Sequence, residues 1–185
     1  MTINEFITAF SNIKTNYIRP LSHCSKTDQG DIVCNDNFTA FSLEKIKEKW
    51  IKLHCCVADD LWFDNVHGVI IVEFKNGNLD GDEKRRLRLQ ALESILIILP
   101  EIMMKCGIEV KMKDICDLRE IFIVVYNIDH YSELKSNKIA RHLKALSLFN
   151  LSHLEKTVYD KVLPYDKEEF IEVLENFKGQ KACPA

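Results

Sequence analysis

Glycine is scarce in this chain, six residues of 185, and none are gathered into a run. No Gly-rich loop is present to cradle a phosphate, which argues against a P-loop ATPase or a dinucleotide enzyme. No Cys-x-x-Cys pair occurs. The seven cysteines (Cys24, Cys34, Cys55, Cys56, Cys106, Cys116 and Cys183) are odd in number. Cys55 and Cys56 are adjacent, which suits neither a local disulfide nor a zinc knuckle. Free thiols in a reducing, intracellular and cytoplasmic setting are the expectation; a zinc site of His23, Cys24 and Cys34 is the alternative. No apolar run reaches the roughly 18 residues of a membrane span. The first eighteen residues carry Asn and Glu in an amphipathic pattern, unlike a signal peptide. A strong charge of one sign is also missing: 25 basic against 28 acidic residues leave a net charge of −3. That balance argues against non-specific nucleic-acid binding by the whole surface, though not against a local basic patch. The histidines are scattered, and nothing resembles a nucleophilic triad.

What is present is a hydrophobic fraction of 46%, enough for the core of one domain. Apolar residues at Ile3, Phe6, Ile7, Phe10, Ile13 and Ile18 recur at helical spacing and predict a first helix up to about Tyr17, ended by Arg19-Pro20. Residues 21–41 read as a long polar loop, with a short strand near Ile32-Val33. Ser42 is placed to cap a second helix, Leu43 to about Leu53. Two strands follow, joined by a turn at Asp64 to Gly68. A long helix starts at Asp80 or Asp82 and runs to Lys105, with Pro100 as a kink or a new start and Cys106-Gly107 as its end. Ile121 to Tyr126 reads as a central strand covered on both faces, and Ile108 to Met112 as a weaker one. Ser136 is placed to cap a helix from Asn137 to Leu148. Leu154 to Leu163 is ambiguous between a helix and a loop leading to a strand. Asp166-Lys167-Glu168-Glu169 is a capping-box pattern opening a last helix to Phe177. Strands flanked by helices predict one three-layer α/β domain with a mixed sheet. Its core spans about 43–126, with a helical C-terminal extension at 132–178.

The chemistry concentrates between Cys55 and Gly77. Asp59 and Asp60 sit on the first of the two strands. The apolar run Val69 to Val72 on the second ends in Glu73-Phe74-Lys75. Side chains two apart on a strand share a face, so Glu73 and Lys75 project together. Carboxylates converging there can hold a hard divalent cation, Mg²⁺ or Mn²⁺, which takes oxygen ligands and keeps several waters. Such an ion binds a scissile phosphate and activates water, while a nearby ammonium stabilises developing negative charge. Which aspartate faces Glu73 depends on register. A turn centred on Val66 pairs Asp59 with Glu73, and a shift of half a residue pairs Asp60 instead. Asp59 is preferred because Asp-x-Leu-x-Phe keeps it in phase with Leu61 and Phe63. The bland alternative is an ion pair at a strand end beside a solvated acidic corner.

An Asp in the first strand, Glu73-Phe74-Lys75 closing an apolar strand, a long helix and a further apolar strand together resemble the core of the PD-(D/E)XK nuclease superfamily, over about Leu43 to Tyr126. Ala58 stands where the family motif has Pro. The resemblance implies a restriction-endonuclease-like fold and metal-dependent phosphodiester hydrolysis of nucleic acid, DNA rather than RNA. It implies Asp59 (or Asp60) and Glu73 as metal ligands with the Phe74 carbonyl, and Lys75 as the group that orients or activates water. Gln90, early in the long helix, and Glu44, in the preceding one, match positions where some members carry a Gln near the site and an additional acidic ligand. The basic run Lys84, Arg85, Arg86 and Arg88 reads either as a phosphate-backbone contact or as a solvated helix face. The rival function is a non-catalytic module of the same fold that binds nucleic acid or a protein partner in a defence, immunity or inhibitor role. A homodimer is a further expectation for so small a nuclease.

Overall fold

The computed structural model describes residues 2–11, 13, 17–26, 32–64, 66–135, 137–155 and 157–178. Helix α1 (Ile3–Ser11) is followed by strand β1 (Ile18–Pro20), the short helix α2 (Leu21–Cys24) and strand β2 (Thr39–Ser42). A helix begins as α3 (Leu43–Lys45) and widens at once into a π turn (Ile46–Ile51). Strands β3 (Asp60–Asp64) and β4 (Gly68–Lys75) form a hairpin. The long helix comprises α4 (Gly81–Glu93), a π turn (Ser94–Ile98) and α5 (Leu99–Lys105). Then come α6 (Met112–Cys116), β5 (Glu120–Tyr126), two 3₁₀ turns, α7 (Lys138–Leu148), β6 (Lys161–Asp166) and α8 (Lys167–Lys178).

The six strands lie in sequence order, β1 to β6. The first four pair antiparallel, while β4, β5 and β6 pair parallel, so the sheet is mixed. Side chains alternate between its faces. Leu61, Phe63, Val69, Ile71, Phe122 and Val124 join a core with α1 and the long helix. Trp62, Ile70, Val72, Ile121, Ile123 and Val125 join a second core with Phe170, Leu174 and Phe177 of α8. Both faces are therefore covered, which is why β4 and β5 read as unbroken apolar runs.

Several expectations are corrected. The first helix ends at Ser11, and Ile18 belongs to β1; its apolar spacing continued the helical pattern by coincidence. The stretch 21–41 contains α2, and the Lys26–Ile32 bridge takes the place of the expected strand at Ile32-Val33. Strands β1 and β2 were not anticipated, because three- and four-residue strands leave little periodicity to read. The hairpin's first strand begins at Asp60, and 52–58 is irregular. Ser42 makes no side-chain cap; the Leu43 N–H donates instead to the Asp59 carbonyl at 3.0 Å. Pro100 opens a new segment, as one of its two readings had it: it stands in the first turn of α5. The π turn just before it widens the coil, which makes room for a ring and a missing N–H that a regular α-turn would not tolerate. Ile108 to Met112 forms no strand, and Met112 opens α6. Asn137 caps α7 through the Ala140 N–H; Ser136 lies outside the described residues. The C-terminal third is not wholly helical, since it supplies β6.

Other expectations stand. Asp80 caps α4 by accepting the Glu83 N–H at 2.9 Å. Gly107, at φ +81°, closes α5 with the paired Schellman bonds, Gly107 N–H to the Met104 carbonyl and Ile108 N–H to that of Met103. Asp166 and Glu169 exchange the reciprocal bonds of a capping box. No helix among the described residues is long and apolar enough to cross a membrane.

Candidate active site

The β3–β4 register decides the site. Asp60 pairs with Val72, Leu61 with Ile71 and Phe63 with Val69. Beyond the Asp60–Val72 pair the ladder opens, and the Asp59 N–H donates to the Val72 carbonyl at 3.1 Å. Asp60 faces the opposite side of the sheet, fully buried beside the α8 core. Of the two aspartates, Asp59 is the one on the face of Glu73.

Glu73 is buried, with 2% of its surface exposed. Its Oε1 lies 2.7 Å from Lys75 Nζ. Its Oε2 is buried without a hydrogen-bond partner. One Asp59 oxygen, Oδ2, accepts the Phe74 N–H at 2.7 Å. In a strand the N–H and C=O of one residue point to the same edge, so the Phe74 carbonyl also faces the end of β3. Burial, and then the charge of Glu73, hold the Asp59 carboxyl well above the usual carboxylate range, with the Phe74 N–H opposing them. Burial raises Glu73 too, against the pull of Lys75 and Gln90.

Helix α4 supplies the third wall. Its buried face carries Leu87, Gln90 and Ala91. Gln90 Oε1 accepts from Lys75 Nζ at 3.1 Å, and its Nε2 donates to the Val57 carbonyl at 3.2 Å. One amide thus ties the ammonium of β4 to the segment that delivers Asp59. Glu83 lies 3.7 Å from Lys75 Nζ and 3.8 Å from Arg86. The loop into α4 is held by the Tyr131 hydroxyl, which donates to the Gly77 carbonyl and accepts the Leu79 N–H.

These groups line a cleft of about 790 Å³. Asp59, Glu73, Phe74, Lys75 and Gln90 are on its wall, as is Glu44. Of the basic run, Arg86 lines the cleft, while Lys84, Arg85 and Arg88 are not among its lining residues. Lys26, Lys47 and His130 also contribute and were not singled out in the sequence. Two positioning residues were missed as well. Ser94 Oγ accepts the Ala58 N–H at 2.8 Å, and Glu93 Oε2 accepts the Cys56 N–H at 2.5 Å. A serine buried inside an otherwise apolar helical segment was the available signal for Ser94.

The donors on this wall are carboxylate and carbonyl oxygens, the set that hard divalent cations take. A buried, unpartnered Glu73 oxygen and two neighbouring carboxyls with raised pKa are features a cation would relieve. No group of three or more His, Cys, Asp or Glu arranged to hold a metal occurs among the described residues, so any remaining positions on such an ion would fall to a carbonyl and waters. For the zinc alternative, the Cys24 side chain lies outside what is described, and His23 is exposed while Cys34 is buried. No family model, curated protein or solved structure matches the chain.

Proposed function

We propose that this chain is a metal-dependent nuclease of PD-(D/E)XK type, hydrolysing phosphodiester bonds of nucleic acid, with DNA as the expected substrate. The observation that carries the reading is the convergence of Asp59, Glu73, Lys75 and Gln90 on one wall of one cleft, with a buried Glu73 oxygen left open. Asp59 and Glu73 would hold Mg²⁺ or Mn²⁺ together with the Phe74 carbonyl. Such an ion, when bound, supplies a polarised phosphate and a water of lowered pKa. Lys75 stands where it can orient the attacking water and stabilise the charge growing on phosphate oxygens. Gln90 positions that ammonium beside Glu73. Glu44 and Arg86 face the substrate from the rim.

A second reading has its own support. Lys75 is already engaged by Glu73, Gln90 and Glu83, and no three His, Cys, Asp or Glu converge to hold a metal among the described residues. That favours a non-catalytic module of the same architecture, binding nucleic acid or a protein partner. Cleavage of single- and double-stranded DNA and RNA with Mg²⁺ or Mn²⁺, beside Glu73→Ala and Lys75→Ala, separates the two. Loss of cutting in both variants, with folding intact, supports the nuclease. A wild-type chain that cuts nothing and binds no metal sinks it.

A further inference from the structure

Beside the cleft that holds Asp59 and Glu73 lies a second, of about 670 Å³, with Lys47, Cys55 and Cys56 on the walls of both. Beyond them it is lined by Lys52 and His54. Among the described residues neither the Lys47 nor the Lys52 ammonium is held in an ion pair or a hydrogen bond. Two carboxylates also line this cleft. Glu93 is turned to the Cys56 N–H, and Glu48 is exposed.

Lys52 has an unusual backbone. It sits at φ 62°, ψ 42°, in the left-handed region, and closes the π turn by donating its N–H to the Lys47 carbonyl at 2.6 Å. Glycine takes such a cap without strain, whereas a residue with a Cβ is strained there. The other described non-glycine residue at positive φ is Asn150, a type that tolerates the region. Lys52 thus holds a disfavoured backbone conformation while lining a cleft. Backbone strain of this kind concentrates where a site requires the side chain.

We infer that the second cleft seats a backbone phosphate next to the scissile one, held by Lys47 and Lys52, an inference that rests on the nucleic-acid reading above. A strand fixed at the Asp59–Glu73 wall carries a further phosphate at every nucleotide. The adjoining cleft would set its neighbour down between two unengaged ammonium groups. Lysine suits that task as a mobile point charge. The strand then runs over the π turn that follows α3, rather than along the basic run of α4.

The test follows cleavage of a short fluorescein-labelled oligodeoxynucleotide, single-stranded and as its duplex, with Mg²⁺ at about 50 and 200 mM salt. Where the chain binds without cutting, Kd from anisotropy replaces KM. Lys47→Gln/Lys52→Gln is expected to raise KM about tenfold with kcat little changed. It should also flatten the salt dependence, by about 0.7 in log–log slope per lost contact on a single strand. Lys144→Gln/Lys161→Gln makes the same charge change outside both clefts and should do neither. Lys52→Gly separates cap from contact: Tm should rise while KM also rises. Unchanged KM and salt slope in the double variant of a chain that does cut or bind would overturn the inference and leave the nucleic-acid reading standing. So would a Lys52→Gly variant of lower Tm and unaltered KM, which would make Lys52 a helix cap only. A wild-type chain that neither cuts nor binds overturns both.

Discussion

The Asp59 carboxylate accepts the Phe74 N–H at 2.7 Å, on the cleft it lines with Glu73. That bond fixes one oxygen of Asp59 at the point where β3 and β4 part. It does so without satisfying the Glu73 oxygen that remains open. A half-buried carboxyl and a buried one are thereby held close together, an arrangement that costs stability in the folded chain.

Asp59→Asn keeps an oxygen for the Phe74 N–H and removes the charge. Burial and Glu73 raise the Asp59 pKa, so the folded state holds its proton more tightly than the unfolded one. The stability this carries is full below the unfolded pKa and is lost as pH rises toward the folded value. At neutral pH, Asp59→Asn should therefore stabilise the metal-free protein by on the order of 1 kcal/mol, a Tm rise of about 2–4 °C for a chain of this size, while abolishing metal-dependent cutting. A fall in Tm would mean that Asp59 is a structural ion-pair partner.

The same linkage gives metal binding a pH dependence. A cation competes with protons held by Asp59 and Glu73, so its affinity should rise with pH through their raised range, with proton release on binding. Titration calorimetry in two buffers of different ionisation enthalpy measures that release. Proton-neutral binding would place the ion elsewhere.

At the far end of the sheet, Glu120 is buried with an unpartnered Oε1. Burial and the neighbouring Asp160 and Asp117 push its pKa up to about 8. Its ionisation opposes folding increasingly between its unfolded pKa and that value. Glu120→Gln should gain on wild type as pH rises from about 5 to 8, by at most about 1.4 kcal/mol per pH unit. Urea unfolding at both ends of the range checks it, and a constant difference would refute it.

Ser94→Ala leaves the buried Ala58 N–H without its acceptor, which should cost about 1–3 kcal/mol. The segment it anchors delivers Asp59, so kcat should fall more than KM rises. Lost stability with kcat untouched would restrict Ser94 to a packing role.

Gly68→Ala is expected to be severe. Gly68 has φ +81°, and an added Cβ would lie 2.2 Å from the Arg119 carbonyl oxygen, which accepts the Val69 N–H. A loss of about 3 kcal/mol or more is expected from strain and clash together. Gly77→Ala, with nothing within 4 Å of its new methyl, should be near neutral. Comparable unfolding midpoints for the two would contradict the hairpin geometry.

Much of the site was legible before folding because strand periodicity is local. Two-residue alternation put Glu73 and Lys75 on one face, and the phase of Asp59 with Leu61 and Phe63 named the aspartate that lines the cleft with Glu73. The capping patterns at Asp80 and at Asp166 were legible for the same reason, since each is completed within a few residues. Ser42 misled because its helix start is capped from a distance, by the Asp59 carbonyl.

The sequence by itself determined the α/β character, the β3–β4 hairpin and the side on which its charged pair projects. These follow from the backbone's own periods and from turn residues. The tertiary structure alone decided that Gln90 would bridge Lys75 to Val57, and that Glu93 and Ser94 would anchor the chain before Asp59. It alone decided that Lys47 and Lys52 would line the adjoining cleft, that short strands β1 and β2 would join the sheet, and that the ambiguous stretch before Pro164 would lead into strand β6. Each of those depends on contacts between residues far apart in the chain, whose partners are set by packing two cores against one twisted sheet and leave no periodic trace in the sequence.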